Sequence, residues 1–227
     1  MDIKFIPLNT MKDFHNNENV LHLLDLCISN IGDRLFDDVL YLIRSPSLAK
    51  AKNRLEQIKY IYSKKDEMSV FDDLKDTIVQ IYSHGKFHQL KGAFLEVLSF
   101  NIFKRLYPTG EYCLNCNVLI DDWNNHKEVD IGIKCEEKGI ISECKTSRRR
   151  FNKTVLGKLL EIKNKSEDYF SLFIITLDNK SKIYQKLDGI SYHNQDLDLS
   201  GIYVIHRNNF SRFCSGSFDK YVVNDYY

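Results

Sequence analysis

The sequence predicts an α/β protein, with a mixed central sheet flanked by helices and a helical extension before it. Three observations lead there. Apolar residues recur at helical spacing through most of the first 85 residues. Near residue 86 the pattern changes to alternating helix and strand. From there the elements run helix, three strands, helix, strand, an order that builds one mixed sheet. The expected division is therefore a helical extension over 1–85 and an α/β core over 86–227.

In the extension, helices are expected at about 18–29, 33–44, 47–63 and 67–83. Leu21, Leu24 and Ile28 carry one apolar stripe, and Leu35, Val39 and Leu42 another. Ser45-Pro46 stops the second helix and Ser47 is placed to cap the third. The sequence leaves open whether this part is a cap, a homodimer arm or a surface for a partner subunit.

In the core, 87–107 reads as a helix with Phe94, Leu95, Leu98, Ile102 and Leu106 along one stripe, stopped by Pro108 and Gly110. Strands follow at about 112–120, 127–135 and 139–146. Val129, Ile131 and Ile133 alternate with Asp130, Gly132 and Lys134, the period of a half-buried strand. The polar loop Glu136-Glu137-Lys138-Gly139 suits a hairpin. A helix at 154–168, a buried strand at 171–177 (SLFIITL), a helix near 181–189 and a strand near 201–206 complete the pattern.

A hydrophobic content of 43% and only three prolines allow a packed core and argue against disorder. The net charge of +1 neither announces nor excludes a nucleic-acid partner, because a local basic surface is what meets phosphates. No apolar stretch approaches the roughly 20 residues that cross a bilayer. The start also lacks a secretory pattern, so a cytoplasmic location is expected. In that setting the six cysteines are expected as thiols. Cys113 and Cys116 lack the second pair a zinc site needs, and in a strand they should point to opposite faces.

The chemistry concentrates on two adjacent strands. Glu143 and Lys145 are two apart, so they share a face, while Ile140, Ser142 and Cys144 point the other way. Asp130 lies on the polar side of the strand before. Two carboxylates gathered on one face repel unless a cation lies between them. Magnesium or manganese would serve, with oxygen ligands and several retained waters. Glu96 sits on the 87–107 helix four residues after Gly92, so the two share a face, and the glycine is expected to let the helix approach the sheet.

At these residues the chain resembles the PD-(D/E)XK nuclease superfamily. The matching segments are KGAFLE (91–96), EVDIGI (128–133) and IISECK (140–145). Val129 stands where the family's name has proline. The resemblance implies a restriction-endonuclease-like core and a metal held by Asp130 and Glu143, often with the Cys144 carbonyl and with Glu96. Lys145 would serve the attacking water. It implies a magnesium-dependent endonuclease cutting DNA, in restriction or phage defence. The alternatives are a nucleic-acid-binding or assembly subunit whose cleavage is weak or lost, and an RNA-directed nuclease of the same fold. The E-x-K spacing alone carries nothing, since Glu136-Glu137-Lys138 and Glu161-Ile162-Lys163 repeat it in a turn and a helix. Only Glu143-Cys144-Lys145 follows an aspartate strand and a glutamate helix.

Residues 145–165 hold eight basic residues and one acidic residue, Glu161. Arg148, Arg149, Arg150, Lys153 and Lys158 are expected to meet the phosphate backbone beside the site. His84 and His88 are four apart but read as helix-start or surface residues.

Overall fold

The computed structural model describes residues 1–62, 65–121, 123, 127–194 and 196–222. By its internal contacts the chain forms two units, Lys12–Leu98 and Met1–Met11 with Ser99–Tyr227.

The first unit is helical: α1 (Lys12–His15), α2 (Glu18–Ser29), α3 (Arg34–Ile43), α4 (Leu48–Lys59), α5 (Lys65–Ser83) and the first part of α6 (Phe87–Leu106). Ser47 caps α4 as expected, its hydroxyl accepting from the Lys50 amide at 3.4 Å. That helix stops at Lys59; residue 63, the expected end, lies outside the described residues. The open carbonyls after α3 are closed from a distance. The Tyr82 hydroxyl lies 2.7–2.9 Å from the carbonyls of Leu42, Ile43 and Ser45, and Lys91 donates to Ser45 O at 2.5 Å. A helix end buried this way needs such donors. His84 takes a turn role, its Nδ1 accepting from the Lys86 amide.

The second unit is a six-stranded sheet in the order β1 (Ile3–Pro7), β2 (Glu111–Ile120), β3 (Lys127–Lys134), β4 (Gly139–Lys145), β5 (Phe170–Thr176) and β6 (Tyr203–Ile205). The first four strands are antiparallel to their neighbours, and β5 and β6 run parallel to β4. This is the mixed sheet the sequence predicts. Helices α7 (Lys153–Lys165) and α8 (Lys180–His193) cover one face, where Leu156, Leu159, Ile162, Ile183 and Leu187 pack with Ile141, Leu172 and Ile174. Each such side chain contributes roughly 1.5–3 kcal/mol by leaving water. Elsewhere Phe103 of α6, Phe173 of β5 and Phe213 of α9 (Phe210–Cys214) meet edge to face at 4.9–5.2 Å. No helix among the described residues is long and apolar enough to cross a membrane.

Four differences from the sequence-based expectations have physical causes. Residues 3–7, expected within a helical extension, pair with β2 as an edge strand, where Pro7 is tolerated because an edge strand has a side without ladder partners. β3 is buried from Val129 to Ile133 rather than half-buried, as an inner strand covered on both faces is. Cys113 and Cys116 join the same buried cluster rather than opposite faces. Between them Asn115 sits at φ 52, and the Cys116 thiol donates to the Cys113 carbonyl at 3.9 Å. None of the six cysteines is in a disulfide, as expected. Finally, a Cβ on Gly92 would meet nothing nearer than Glu96 Oε1 at 3.8 Å, so no close approach requires glycine there.

Gly132 does meet such a requirement. A Cβ there would lie 2.6–2.9 Å from the ring of Phe5, which crosses over it from β1. Gly132→Ala is therefore expected to cost roughly 1–3 kcal/mol, the usual penalty of overpacking. Adding Phe5→Leu should relieve part of that cost in a double-mutant cycle followed by urea unfolding. Purely additive effects would contradict the close approach.

Candidate functional site

The paired ladder between β3 and β4 ends at Ile131 and Ser142. One residue further along each strand stand Asp130 and Glu143. There a side chain replaces the missing backbone partner, and Asp130 Oδ2 accepts from the Cys144 amide at 2.6 Å. Cys144 itself points away, its thiol 3.6 Å from the Ser142 hydroxyl.

Lys145 closes the group. Its ammonium lies 2.8 Å from Asp130 Oδ2 and 2.8 Å from Glu143 Oε2, bridging the two carboxylates. Lys158, from the second turn of α7, donates to the other Glu143 oxygen. Glu143 is only 2% exposed, so both its oxygens are matched to cations away from water. A buried charge without such partners would be strongly disfavoured. The sequence pattern assigns Lys158 to nucleic acid; in the structure its ammonium is on Glu143.

These contacts set the titration of the site. Burial pushes the Glu143 carboxyl up, the Asp130 charge adds to that, and Lys145 and Lys158 pull against both without overcoming them. Burial alone would lower Lys145, but the two carboxylates outweigh it and hold the ammonium above the usual lysine value. Lys145 is thus a cation at neutral pH, not a free base.

Asp130 and Glu143 are the side chains that would hold a hard divalent ion. Two carboxylates face one point, and that point already draws positive charge. Among the described residues, no three or more His, Cys, Asp and Glu side chains gather into a cation cage. Two carboxylates are nevertheless enough for magnesium, which keeps several waters of its own. Such an ion would have to displace Lys145, Lys158 or both from at least one oxygen.

The other expected residues are placed as follows. Glu96 belongs to the helical unit, where it is buried and its Oε2 accepts from His15 Nε2 at 2.7 Å. Arg148 opens a short 3-10 turn (Arg148–Arg150) and is pinned to its own unit. Its amide donates to Asp178 Oδ2 at 2.7 Å, and its guanidinium donates to the Lys182 carbonyl and Gln185 Oε1. Arg149 and Arg150 are exposed. Lys153 pairs with Asp196 at 3.2 Å on the surface. Sequence reasoning missed two participants: Lys158 as a partner of Glu143, signalled only by its place on the inner side of an amphipathic helix, and Asp178, signalled by a lone acid at the end of an apolar strand.

No protein-family model matches the chain, and no curated protein sequence matches it. Among solved structures the fold is similar to that of protein VC1899 from Vibrio cholerae. The identity is 14% and the TM-score 0.52, over 94% of this chain and 57% of that one. Can2 from Sulfobacillus thermosulfidooxidans, solved in complex with cyclic tetra-adenylate, aligns at 11% identity and a TM-score of 0.45, over 94% of this chain and 55% of its own. The chain therefore spans little more than half the length of either protein. At these identities the likeness is one of fold, and function has to be argued from the site.

The raised Glu143 pKa predicts a pH signature. The folded protein keeps this proton to a higher pH than the unfolded chain does. The contribution to stability is therefore present at low pH and declines as pH rises from the unfolded carboxylate value through the folded one. Urea unfolding of metal-free protein between pH 4 and 7 should show that decline superimposed on other groups, and Glu143→Gln should remove it. An identical pH slope in the variant would show that the carboxyl is not held up by burial.

Proposed function

We propose that the chain is a divalent-metal-dependent nuclease that hydrolyses phosphodiester bonds in DNA. The observation that carries this reading is the meeting of Asp130, Glu143 and Lys145 where the β3–β4 ladder ends. The resemblance of EVDIGI and IISECK to the PD-(D/E)XK superfamily supports it, and is the sole support for a role in restriction or phage defence.

Asp130 and Glu143 would hold magnesium or manganese, with the Cys144 carbonyl beside them. Such an ion, when bound, supplies Lewis-acid polarisation of a phosphoryl oxygen and lowers the pKa of a coordinated water. The remaining work falls to the protein. The Lys145 ammonium, set between the two carboxylates, would orient the attacking water and offset negative charge building on the phosphate. The Cys144 amide would hold Asp130 in place.

One observation favours a second reading. Two carboxylates and two ammoniums balance without any metal, as they would in a nucleic-acid-binding or assembly subunit that does not cut. Incubating the protein with plasmid, linear duplex, single-stranded DNA and RNA separates the two, with magnesium or manganese and with EDTA. Cleavage of DNA that EDTA abolishes is expected. Binding without cleavage under every metal condition would establish the second reading, and cleavage confined to RNA would correct the substrate.

The variants sharpen the test. Asp130→Ala and Glu143→Ala should abolish cleavage and lose metal affinity by calorimetry. Lys145→Ala should keep metal affinity while the rate falls about 10²- to 10³-fold, the scale of losing one preorganised electrostatic donor. If Lys145→Ala cuts at the wild-type rate, the assignment of Lys145 is wrong.

A further inference from the structure

Beside the carboxylate group lies an open cleft of about 590 Å³, lined by Lys127, Glu128, Lys153 to Val155, Gly157, Lys158, Glu161 and Leu197. Its volume is within the 300–1,000 Å³ range of ligand sites. Lys158 belongs to both places, since it lines the cleft and holds Glu143. The cleft is thus continuous with the proposed reaction centre through one side chain.

Three features define what fits there. Lys127, Lys153 and Lys158 come from two separate elements, β3 and α7, and converge on one space. Lys127 pairs with Glu161 at 2.9 Å and lies over the Trp123 ring, partly buried, while Lys153 pairs with Asp196 at 3.2 Å on the surface. The exposed Lys153–Asp196 pair holds weakly, so a phosphate oxygen can replace that carboxylate. Between the lysines, Val155, Gly157 and Leu197 form a small apolar stretch, with Glu128 and Glu161 beside it. A Cβ on Gly157 would meet nothing nearer than Leu197 at 3.8 Å, leaving space for a sugar or a base face. Arg148, whose guanidinium is committed to α8, does not line it.

We propose that this cleft binds the phosphodiester backbone of a single nucleic-acid strand leading to the carboxylate group, with Lys127 and Lys153 as phosphate contacts. Lys158, which lines the cleft and is on Glu143, links the two places. This inference rests on the nuclease reading and adds the path of the strand. The space beside Gly157 suits the face of an unpaired base, which a single strand can turn toward the protein and a duplex cannot.

The test uses the full chain in EDTA, where no cleavage intrudes. Fluorescence anisotropy follows a labelled single-stranded oligonucleotide and the same sequence as a duplex, across a salt series. The single strand should bind more tightly. Lys127→Ala with Lys153→Ala should weaken it about tenfold and flatten the slope of log affinity against log salt by about 1.4, near 0.7 for each phosphate no longer neutralised on a single strand. Lys138→Ala with Lys220→Ala, away from the cleft, should change neither. Acetylation footprinting of the unaltered protein gives a second readout that needs no variant. The oligonucleotide should protect Lys127 and Lys153 and leave Lys138 and Lys220 reactive. Unaltered protein that binds and cuts DNA, with an unchanged slope in the double variant and no protection, would overturn the cleft alone. Duplex preferred over single strand would overturn the single-strand path. No binding and no cleavage of any nucleic acid would overturn the nuclease reading together with it.

Discussion

The constraint on which the sheet unit depends is the burial of a carboxylate. Glu143 lies on an inner strand with almost no access to water. A charge so placed has to be met by opposite charge and by hydrogen bonds, or be given up to a proton. Both its oxygens are met, one by Lys145 two residues along the same strand and one by Lys158 from the helix above. The second carboxylate, Asp130, is steadied by the Cys144 amide at the point where the strands cease to pair. A fold that needed only stability could have filled this place with leucine at less cost. Two acids and two ammoniums are gathered instead at the end of a ladder.

The topology produces that locus. The hairpin from β3 to β4 sets Asp130 across from Glu143. The chain then crosses through α7 to reach β5 parallel to β4, and the crossover carries Lys158 over the same face. Asn152 starts α7 by accepting from the Val155 amide at 2.9 Å, which fixes the rotation of the helix. Leu156 and Leu159 then bury inward and Lys158 falls beside Glu143. Asp178, at the far end of β5, ties down the turn at Arg148 and keeps the loop after Lys145 from drifting.

Much of this is legible in the sequence. Strands expected at about 127–135 and 139–146 and a helix at 154–168 stand close to β3, β4 and α7, and the shared face of Glu143 and Lys145 follows from their spacing of two. What escapes are interactions set by distant residues. The strand at 3–7 exists because it finds an edge at β2, more than a hundred residues away. The kink at Asn115 that gathers Cys113 and Cys116 into one cluster has no periodic signature. Lys158 looks like one charge in a basic run, because a run of lysines does not say which of them turns inward. Glu96 looks like a site residue, and only the structure puts His15 upon it. Arg148 shows the same limit: its charge is evident, but its commitment to the carbonyl of Lys182 is not.

The central claim is that one place between Asp130 and Glu143 is occupied by lysine ammoniums in the free protein and by a divalent ion in the working one. Anomalous diffraction from crystals grown with manganese tests it most directly. The account predicts a manganese peak held by oxygens of Asp130 and Glu143, with Lys145 or Lys158 withdrawn from the oxygen it had contacted. No peak there at saturating manganese, with both lysines still on the carboxylates, would contradict it.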